Sequence, residues 1–471
     1  MKIKEKILNS KILNNSKMLT NNKLLGLFLL ERGTQFRQNG KISLYKSIPI
    51  GIGLGYKDLI YRLGYFARKI VPMVVQYKKE DKKQDKKGIA RESRNYEKLD
   101  DKHSKNIFDL CNNLGGVYIK IGQVFGSRND IFPSIYQERL EPLLENAKGV
   151  SHNKVEGKLN YLVKRLDYLD KTPIGIASLG QVYKGSYLGD TIVVKVLKPH
   201  VARDTKADLL VTNFVLKYTM KGLTGIMKDF SEITLKEFNY LDEADVTIEL
   251  GKKITLENVY FPKVYRDLST KDTLVLEYIE GVSLLKYMKS GSTENISFSI
   301  NKVVEIMYWQ IFKLGLFNSD PHPGNFFIKE TDGLPIIVPL DFGQMGRLSV
   351  LGIANLTKLL YALKSGNTVQ ILDIVDKMGF KSDNNGVNID QLKLRYINCM
   401  FNDYMKEDMV TFNKITKDIA WNTIPIEYML VNKAFITLSG LLSLCKVDIK
   451  LIDLFILRLN IENNIIANTY V

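Results

Sequence analysis

The sequence predicts an α+β protein in which a helical extension precedes a small β-rich lobe and a large helical lobe. Strand signals, rich in β-branched and aromatic residues, cluster at Val182–Tyr183, Ile192–Val196 and Leu274–Tyr278. Apolar residues at helical spacing occur from Ile107 onward, and they return after Ile300 almost to the end. The chain has 471 residues, 45% of them hydrophobic, which is too many for one ordinary core and suggests two or three lobes.

Composition divides the chain into four predicted parts. From Lys78 to Lys87 nine of ten positions are charged, a composition that cannot bury a core and is typical of a linker. The folded body is therefore expected to begin after this segment. The four parts are a basic leader (1–90), a helical extension (91–165), the β-rich lobe (166–282) and the helical lobe (283–471).

The net charge of +16 is concentrated at the front of the chain. Residues 1–90 carry 20 basic and 6 acidic side chains, whereas the remaining 381 residues carry 47 and 45. Because a near-neutral body lacks the basic face that binds a phosphate backbone, we expect no nucleic-acid partner. The cysteines Cys111, Cys399 and Cys445 form no CxxC pair, which argues against a zinc site and favours a reducing compartment.

The leader has two equally weighted interpretations. Its first 30 residues are rich in Lys, Asn and Ser and contain one acid, Glu5, as in an organelle transit peptide or a disordered tail. The apolar run Leu24–Leu30 is too short to span a bilayer. Residues 48–76 are apolar but interrupted by charges, which predicts an amphipathic segment at an anionic membrane or lipid surface. Near the C-terminus, Ala434–Cys445 predicts a buried helix.

A glycine-rich segment at 175–182 has the kinase spacing GxGxxGxV, with Ala177 at the middle glycine. Such a loop lets backbone amides approach phosphates closely, although an ordinary turn is the alternative. The predicted cofactor-binding residues of this loop are Gly175, Ala177, Ser178, Gly180 and Val182. Thirteen residues past Val182, Lys195 closes the strand Ile192–Val194, and its ammonium reaches either phosphate oxygens or water.

Two acidic residues, Glu237 and Glu243, lie in the helical-looking stretch Leu235–Leu250. Either could hold Lys195 in the ion pair that kinases use, and a solvated helix face is the alternative. The segment Leu274–Gly281 is similar to the strand and hinge that bind adenine in kinases. The residues predicted to border the base are Glu277 and Tyr278.

The most informative cluster is Asp320-Pro-His-Pro-Gly-Asn325, followed 16 residues later by Asp341-Phe-Gly. An aspartate with an asparagine five residues on has the spacing of a kinase catalytic loop. Asp320 would orient or deprotonate the acceptor, while Asn325 and Asp341 are the predicted Mg²⁺ ligands at the phosphates of ATP. His322, between two prolines, is interpreted as locking the turn by hydrogen bonds in preference to acting as base or metal ligand.

Further motifs connect the chain with one family. They are Lys120-Ile-Gly-Gln123 (KxGQ), Ser127–Asp130, Pro133 with Tyr136, Ala177–Val182, Glu237 with Tyr240, Glu243-Ala244, and the two segments at 320–325 and 341–343. With them the chain resembles the ABC1/ADCK/UbiB group of atypical kinase-like proteins, which includes the Coq8-type proteins, over about residues 105–350. The resemblance implies a bilobal protein kinase-like fold whose KxGQ extension covers the place where a protein kinase binds its peptide substrate.

The resemblance also implies roles for the paired charges. Lys195 would contact phosphates and pair with Glu243, while Glu237 would engage Lys120. Because Lys120 and Gln123 are three residues apart on one helix face, both would point toward the nucleotide. Spacing alone does not decide which glutamate serves which lysine.

The sequence departs from the family pattern at several positions. Asn239 replaces the aspartate of the ExD motif, the alanine-rich loop is reduced to Gly175–Ala177, and Val193 stands where a small residue is usual. Asn318-Ser319 replaces the usual His-Ala before the catalytic loop. No Ala-Pro-Glu triplet follows Asp341-Phe-Gly, and a helical pattern resumes by Leu351, so we expect no peptide-docking platform.

Two functions remain after these observations. The first, implied by the resemblance, is a Mg²⁺-dependent, ATP-binding atypical kinase or ATPase that supports ubiquinone or other isoprenoid-lipid metabolism at an organelle membrane, taken as mitochondrial. Its partners would be ATP, an anionic lipid surface and lipid-biosynthesis enzymes. The alternative is a nucleotide-binding pseudokinase that serves as a scaffold for a lipid-modifying complex, which the altered loop and Asn239 favour. An ordinary protein kinase is disfavoured by the missing activation segment.

Overall fold

The computed structural model describes residues 56–89, 95–127, 134–140, 149–177, 179–219, 231, 234–382, 386, 388–401, 415, 419, 421–444 and 450–469. Several sequence predictions lie outside the described residues. They concern the leader up to residue 55, the motif positions 128–133, Ser178, Cys445 and the side chain of Gln123.

Among the described residues up to 219, six segments are α-helices. They are α1 (Tyr56–Lys86), α2 (Glu97–Leu114), α3 (Val117–Ser127), α4 (Ser134–Leu140), α5 (His152–Val163) and α6 (Val201–Thr219). The helical pattern beyond Ile107 therefore belongs to two helices, not one. Gly115 and Gly116 separate them with φ angles of +64° and +53°, a conformation that residues with side chains rarely adopt.

Helix α1 runs through the charged segment Lys78–Lys87 almost to its end, so the linker expected there is wrong. Side-chain partners explain the difference. Glu80 and Lys83 form an ion pair one turn apart at 3.5 Å. Gln84 is buried and exchanges two hydrogen bonds with the backbone of Asn95, at 2.9 and 3.2 Å. A charged composition thus stays helical where its neighbours supply contacts.

The apolar face of α1 is buried inside the protein. It packs against α2 and α6, and Arg62 binds both carboxylate oxygens of Asp208 on α6 at 2.7 Å. In the described part of the amphipathic segment, the apolar face therefore packs into this core. The sequence-based assignment of that face to a lipid surface is wrong. The buried residues of this face are Leu63, Phe66, Ala67, Ile70 and Val71.

A five-stranded sheet forms the β-rich region. Its strands are β1 (Tyr168–Leu169), β2 (Gly175–Ile176), β3 (Gly180–Tyr187), β4 (Asp190–Leu197) and β5 (Thr273–Glu277). The order is β1-β3-β4-β5, and β2 pairs with β3. The three predicted strand signals fall in β3, β4 and β5. On β4, Ile192, Val194 and Val196 are buried, so Val193 and Lys195 lie on the opposite face.

The C-terminal part is mainly helical. Its helices are α7 (Tyr240–Lys253), α8 (Leu284–Ser290), α9 (Thr293–Tyr308), α10 (Val350–Ser365), α11 (Thr368–Lys377), α12 (Ile389–Phe401), α13 (Ile426–Leu444) and α14 (Leu451–Thr469). A π-helical turn, Trp309–Leu314, follows α9. Helix α10 begins one residue before the expected Leu351, and the buried core residues of α13 include Ala434, Phe435 and Leu438, as predicted for a buried helix.

Strands also occur after Ile300, so the expectation of helix almost to the end is wrong there. They are β7 (Leu316–Asn318), β8 (Phe326–Thr331), β9 (Leu334–Pro339), β10 (Met345–Arg347), β11 (Lys381–Ser382) and β12 (Trp421–Thr423), and β6 (Val282–Ser283) pairs with β8. Strand β9 overlaps the apolar run Ile336–Leu340, which leads into Asp341-Phe-Gly. The β8–β9 hairpin turns at Asp332-Gly333 with φ of +53° and +79°, and this dipeptide is a hairpin signal that sequence reasoning overlooked.

The chain divides into two compact units. Unit 1 takes its described residues from 1–160, 171–183 and 195–238, and unit 2 from 161–170, 184–194 and 239–471. The domain boundaries predicted from composition stay a prediction. Among the described helices, none has both the length and the apolar composition that a membrane span requires.

Candidate functional site

The catalytic-loop motif of unit 2 lies between two paired strands. Strand β7, which leads into Asp320, pairs antiparallel with β10, which follows Asp341-Phe-Gly. The Asn325 side-chain nitrogen donates to the carbonyl oxygen of Asp320 at 3.1 Å, and the Leu340 N–H donates to the carbonyl oxygen of Asn325 at 2.9 Å. The motif residues 320, 325 and 341 are thus brought together by one hydrogen-bonded loop.

Asn318 links the two halves of this motif. Its Oδ1 accepts from the N–H of Asp320 at 2.8 Å, and its Nδ2 donates to the carbonyl oxygen of Asp341 at 2.7 Å. The side chain of Gln310 accepts from the Asn318 N–H at 2.8 Å, and Asn318 is 4% exposed. In the sequence Asn318 was noted only as a departure from the family pattern. The chemistry of its side chain could have indicated this bridging role, because an amide has both a hydrogen-bond donor and an acceptor.

His322 locks the turn, as its position between two prolines predicts. Its Nδ1 accepts a hydrogen bond from the Gly324 N–H at 3.1 Å. Burial lowers the pKa of the imidazole, and the nearby Asp320 opposes that effect only in part. The ring is therefore a neutral acceptor at Nδ1, which suits a structural part.

The phenylalanine of Asp341-Phe-Gly anchors the predicted metal-binding carboxylate. Phe342 is 2% exposed, stacks on Phe261 at a centroid distance of 6.0 Å, and packs with Leu250 and Ile254 of the α7 segment. Asp341 Oδ1 accepts from the Gly343 N–H at 2.9 Å. Packing on one side and a hydrogen bond on the other hold the carboxylate in one orientation.

The residues at this loop fit a magnesium ion held together with a nucleotide. The amide nitrogen of Asn325 donates to Asp320, which leaves the amide oxygen as the coordinating atom, and Asp341 contributes a carboxylate. Mg²⁺ prefers oxygen ligands and commonly takes only one or two protein groups alongside phosphates. No set of three or more His, Cys, Asp or Glu side chains within the described residues could hold a metal without such help.

Two residues predicted to border the base are engaged in holding the sheet. The carboxylate of Glu277 accepts from the Tyr260 hydroxyl at 2.5 Å and from the Lys263 N–H at 3.0 Å. The Tyr278 N–H donates to the carbonyl oxygen of Thr191 at 3.0 Å. A purine at this strand would therefore have to use other backbone groups.

In unit 1, the ammonium of Lys120 on α3 donates to the carboxylate of Glu237, and both side chains are only about a tenth exposed. This is the pairing that the resemblance implied. Glu237 lies in a turn before α7, whereas Glu243 is buried in the first turn of α7, so the single helix expected for both is wrong. Lys195 belongs to unit 1 and Glu243 to unit 2, and their pairing stays a prediction.

The glycine-rich loop of unit 1 is a hairpin turn between β2 and β3, with Gly175 opposite Val182. The Ala177 N–H donates to the carbonyl oxygen of Gly180 at 2.9 Å, which closes the turn.

Lys198, which sequence patterns did not indicate as a functional residue, forms two hydrogen bonds with this loop. Its Nζ donates to the carbonyl oxygen of Ala177 at 2.6 Å, and its N–H donates to that of Leu179 at 3.0 Å. Burial lowers the pKa of Lys198 to about 8. One buried lysine thus binds both sides of the turn.

Unit 2 also has a groove of about 390 Å³ between the second half of α7 and residues 259–264. None of the predicted site residues lines it. This groove and the motif residues therefore lie at different places in unit 2.

Comparisons with known proteins agree with the motifs. An uncharacterised protein of Synechocystis is 26% identical over 352 residues, covering 69% of this chain and 59% of that protein. An uncharacterised chloroplastic aarF domain-containing protein kinase of Arabidopsis thaliana is 31% identical, covering 50% of this chain and 34% of the relative. A probable protein kinase UbiB of Aeromonas salmonicida is 30% identical, covering 50% and 46%. The matched region spans between about a third and three fifths of these relatives.

The fold and the motif loop define a kinase-like domain. Residues 144–375 match the ABC1 atypical kinase-like domain, and the motifs at 320–325 and 341–343 lie inside the matched part. The resemblance inferred from the KxGQ and Asp320–Asn325 motifs is confirmed. The relatives are bacterial and chloroplastic proteins, so they do not single out a mitochondrial location.

Proposed function

We propose that the chain is a Mg²⁺-dependent, ATP-binding atypical kinase or ATPase of the ABC1 family. The observation that carries the proposal is the hydrogen-bonded loop in which Asn318 connects Asp320 with Asp341 and Asn325 is turned to offer its oxygen. The loop thus holds an amide-bearing and a carboxylate-bearing residue within one hydrogen-bonded segment, and both offer oxygen atoms of the kind that Mg²⁺ prefers.

In this proposal each residue has a separate part. Lys195 contacts phosphate oxygens, and Asp320 orients the acceptor and takes its proton. Asn325 and Asp341 hold Mg²⁺, which neutralises charge on the phosphates when bound. Asn318 keeps the carboxylate-bearing segments in register, so the reacting groups need no rearrangement.

A nucleotide-binding pseudokinase is the second candidate, and two observations favour it. The Ala177 N–H is used inside its own turn, and the Tyr278 N–H is used by the sheet. Two amides that a kinase would offer to phosphates and purine are thus occupied. A scaffold needs nucleotide binding only as a conformational signal, so it tolerates these losses better than an enzyme does.

The lipid pathway and the location are parts of the same proposal. Ubiquinone or other isoprenoid-lipid metabolism, with lipid-biosynthesis enzymes as partners, is what the family resemblance implies. A mitochondrial position on the inner membrane or matrix side is supported by the Lys-rich composition of residues 1–30. An anionic lipid surface remains the proposed partner, although the apolar face of α1 is not the part that would bind it.

The test is ATP hydrolysis by the full chain with Mg²⁺, measured with and without anionic liposomes. We expect hydrolysis that liposomes stimulate, and Lys195→Ala and Asp320→Asn should each suppress it by about a hundredfold or more. The matched control is Asp373→Asn, which removes an exposed carboxylate paired with Lys377 one turn away. Nucleotide binding without turnover in the wild type would favour the pseudokinase.

A further inference from the structure

The catalytic loop of unit 2 contains a carboxylate but no cation. Residues 320–325 include neither Lys nor Arg, and His322 uses Nδ1 as an acceptor. An uncompensated carboxylate at Asp320 would repel the phosphates of a nucleotide brought to the same loop. Mg²⁺ would compensate the phosphates when bound, and a cation from another part of the chain would compensate the charge of Asp320 itself.

Lys433 on helix α13 brings an ammonium to this position. Its Nζ lies 3.5 Å from Asp320 Oδ2 and donates to Gln344 Oε1 at 2.6 Å. Gln344 in turn is tied to the loop, because its carbonyl oxygen accepts from the Ser319 N–H at 2.8 Å and from the Ser319 hydroxyl at 3.0 Å. The ammonium thus bridges the carboxylate and the residue that follows Asp341-Phe-Gly.

The helical core holds this lysine in place. Helix α13 packs against β10, and its neighbouring residues Val431, Ala434, Phe435 and Leu438 are fully buried. The side chains of Lys433 and Asp320 remain 31% and 35% exposed. A pair of this kind is fixed at its base by packing, yet a ligand can still reach its charged atoms.

We propose that Lys433 is a positioning residue of the phosphoryl-transfer site, which orients the Asp320 carboxylate and neutralises its charge toward phosphate groups. The inference rests on the proposed function of that site. It extends the site beyond residue 375, where the match to the ABC1 domain ends. Helix α13, which its sequence predicts to be buried, would thereby supply a charged side chain to the site.

A double-mutant cycle in the full chain tests this inference. Lys433→Met should lower kcat for ATP hydrolysis on the order of tenfold to a hundredfold, with a smaller change in KM for ATP. Lys433→Arg keeps the charge and should retain most of the turnover. In the Asp320→Asn background, Lys433→Met should have little further effect, since the carboxylate it serves is gone. Lys364→Met, which breaks an exposed ion pair with Asp453 in the same unit, is the control and should match the wild type.

The outcomes separate the inference from the function on which it rests. Wild-type kcat in Lys433→Met would overturn the inference and leave the proposed function intact. A wild type that neither binds nor hydrolyses Mg-ATP would overturn both. If the wild type binds Mg-ATP without turnover, the same cycle is measured as affinity. Weaker binding on Lys433→Met only when Asp320 is present supports the inference, and an equal loss or no loss in both backgrounds contradicts it.

Discussion

Two ion pairs of unit 1 and one ion pair of unit 2 differ in how far they are exposed to solvent. In unit 1, Arg62 pairs with Asp208 and Lys120 with Glu237, and every one of these side chains is less than a fifth exposed. In unit 2, Asp320 and Lys433 are each about a third exposed. The first kind of pair connects distant segments inside unit 1, whereas the second remains open to a ligand.

The difference separates charges that position elements from charges that can meet a substrate. Burying an ion pair costs desolvation free energy, which close geometry recovers, so such a pair mainly fixes one arrangement of helices. A half-exposed carboxylate keeps its hydration and can exchange it for a metal ion or a phosphate. The exposure of Asp320 is therefore compatible with the part proposed for it, and α1 contributes to the packing of unit 1.

Deleting helix α1 should have the largest effect. It tests whether this charged helix belongs to the folded core of unit 1. Deleting residues 1–89 removes the whole of α1, whose four large buried side chains, Leu63, Phe66, Ile70 and Val71, each contribute about 1.5–3 kcal/mol of burial. That sum is comparable with the total stability of a typical domain, about 5–15 kcal/mol, so we expect unit 1 to lose its cooperative unfolding transition. Circular dichroism melting and limited proteolysis measure this loss.

Deletion of residues 1–55 is the matched control, because it leaves α1 in place. Its melting curve should resemble that of the full chain. If both truncations melt alike, the charges and apolar residues of α1 do not belong to the core of unit 1.

Asn318→Ala should have the next largest effect, in unit 2. The change leaves the Asp320 N–H and the Asp341 carbonyl oxygen without their partner, at about 1–3 kcal/mol for each buried group left unsatisfied. Urea unfolding should show the loss of stability, and ATP hydrolysis should fall with it. Asn301→Ala, which removes an exposed side-chain amide that donates to the Ser297 carbonyl oxygen one turn earlier, should change neither. Unchanged turnover in Asn318→Ala would mean that the loop does not depend on this bridge.

Substitution of Lys198, which binds the glycine-rich loop of unit 1, should have the smallest effect. In the unfolded chain its ammonium stays protonated up to its ordinary pKa of 10.5, and in the folded protein only up to about 8. Between these values the unfolded chain binds more protons, so the free energy of unfolding should rise with pH across this window. Melting temperatures from pH 7.5 to 10 should show the rise in wild type and a weaker rise in Lys198→Met.

Lys206→Met, on the exposed side of α6, is the control for this pH series and should keep the wild-type slope. A slope that is the same in Lys198→Met and wild type would show that the buried ammonium does not titrate in this window.

Motifs in which side-chain identity and spacing carry the chemistry were predictable from sequence. Asp320, Asn325 and Asp341 come together because a short loop and two paired strands join them, and the Asp341-Phe-Gly order places an apolar anchor beside the carboxylate. The strands around Val182, Ile192 and Leu274 were predictable for a similar reason, because their β-branched residues are contiguous.

Contacts between distant parts of the chain could not be predicted in the same way. The bridges made by Asn318, Lys198 and Lys433 depend on which backbone or side-chain atom lies opposite, and local spacing does not contain that information. The linker predicted at the charged end of α1 was wrong for a related reason, since the partners of this helix end, such as Asn95, come from a segment beyond it. The roles of Lys195 and Glu243 stay predictions.

The Mg²⁺ dependence of ATP binding tests the central claim most directly. Thermal stability of the full chain should rise with ATP only when Mg²⁺ is present, and Asp341→Asn should abolish that rise while leaving the melting temperature without ligand close to wild type. Asp373→Asn should keep the full shift. A full Mg-ATP shift in Asp341→Asn would contradict the assignment of the reactive oxygens to this loop.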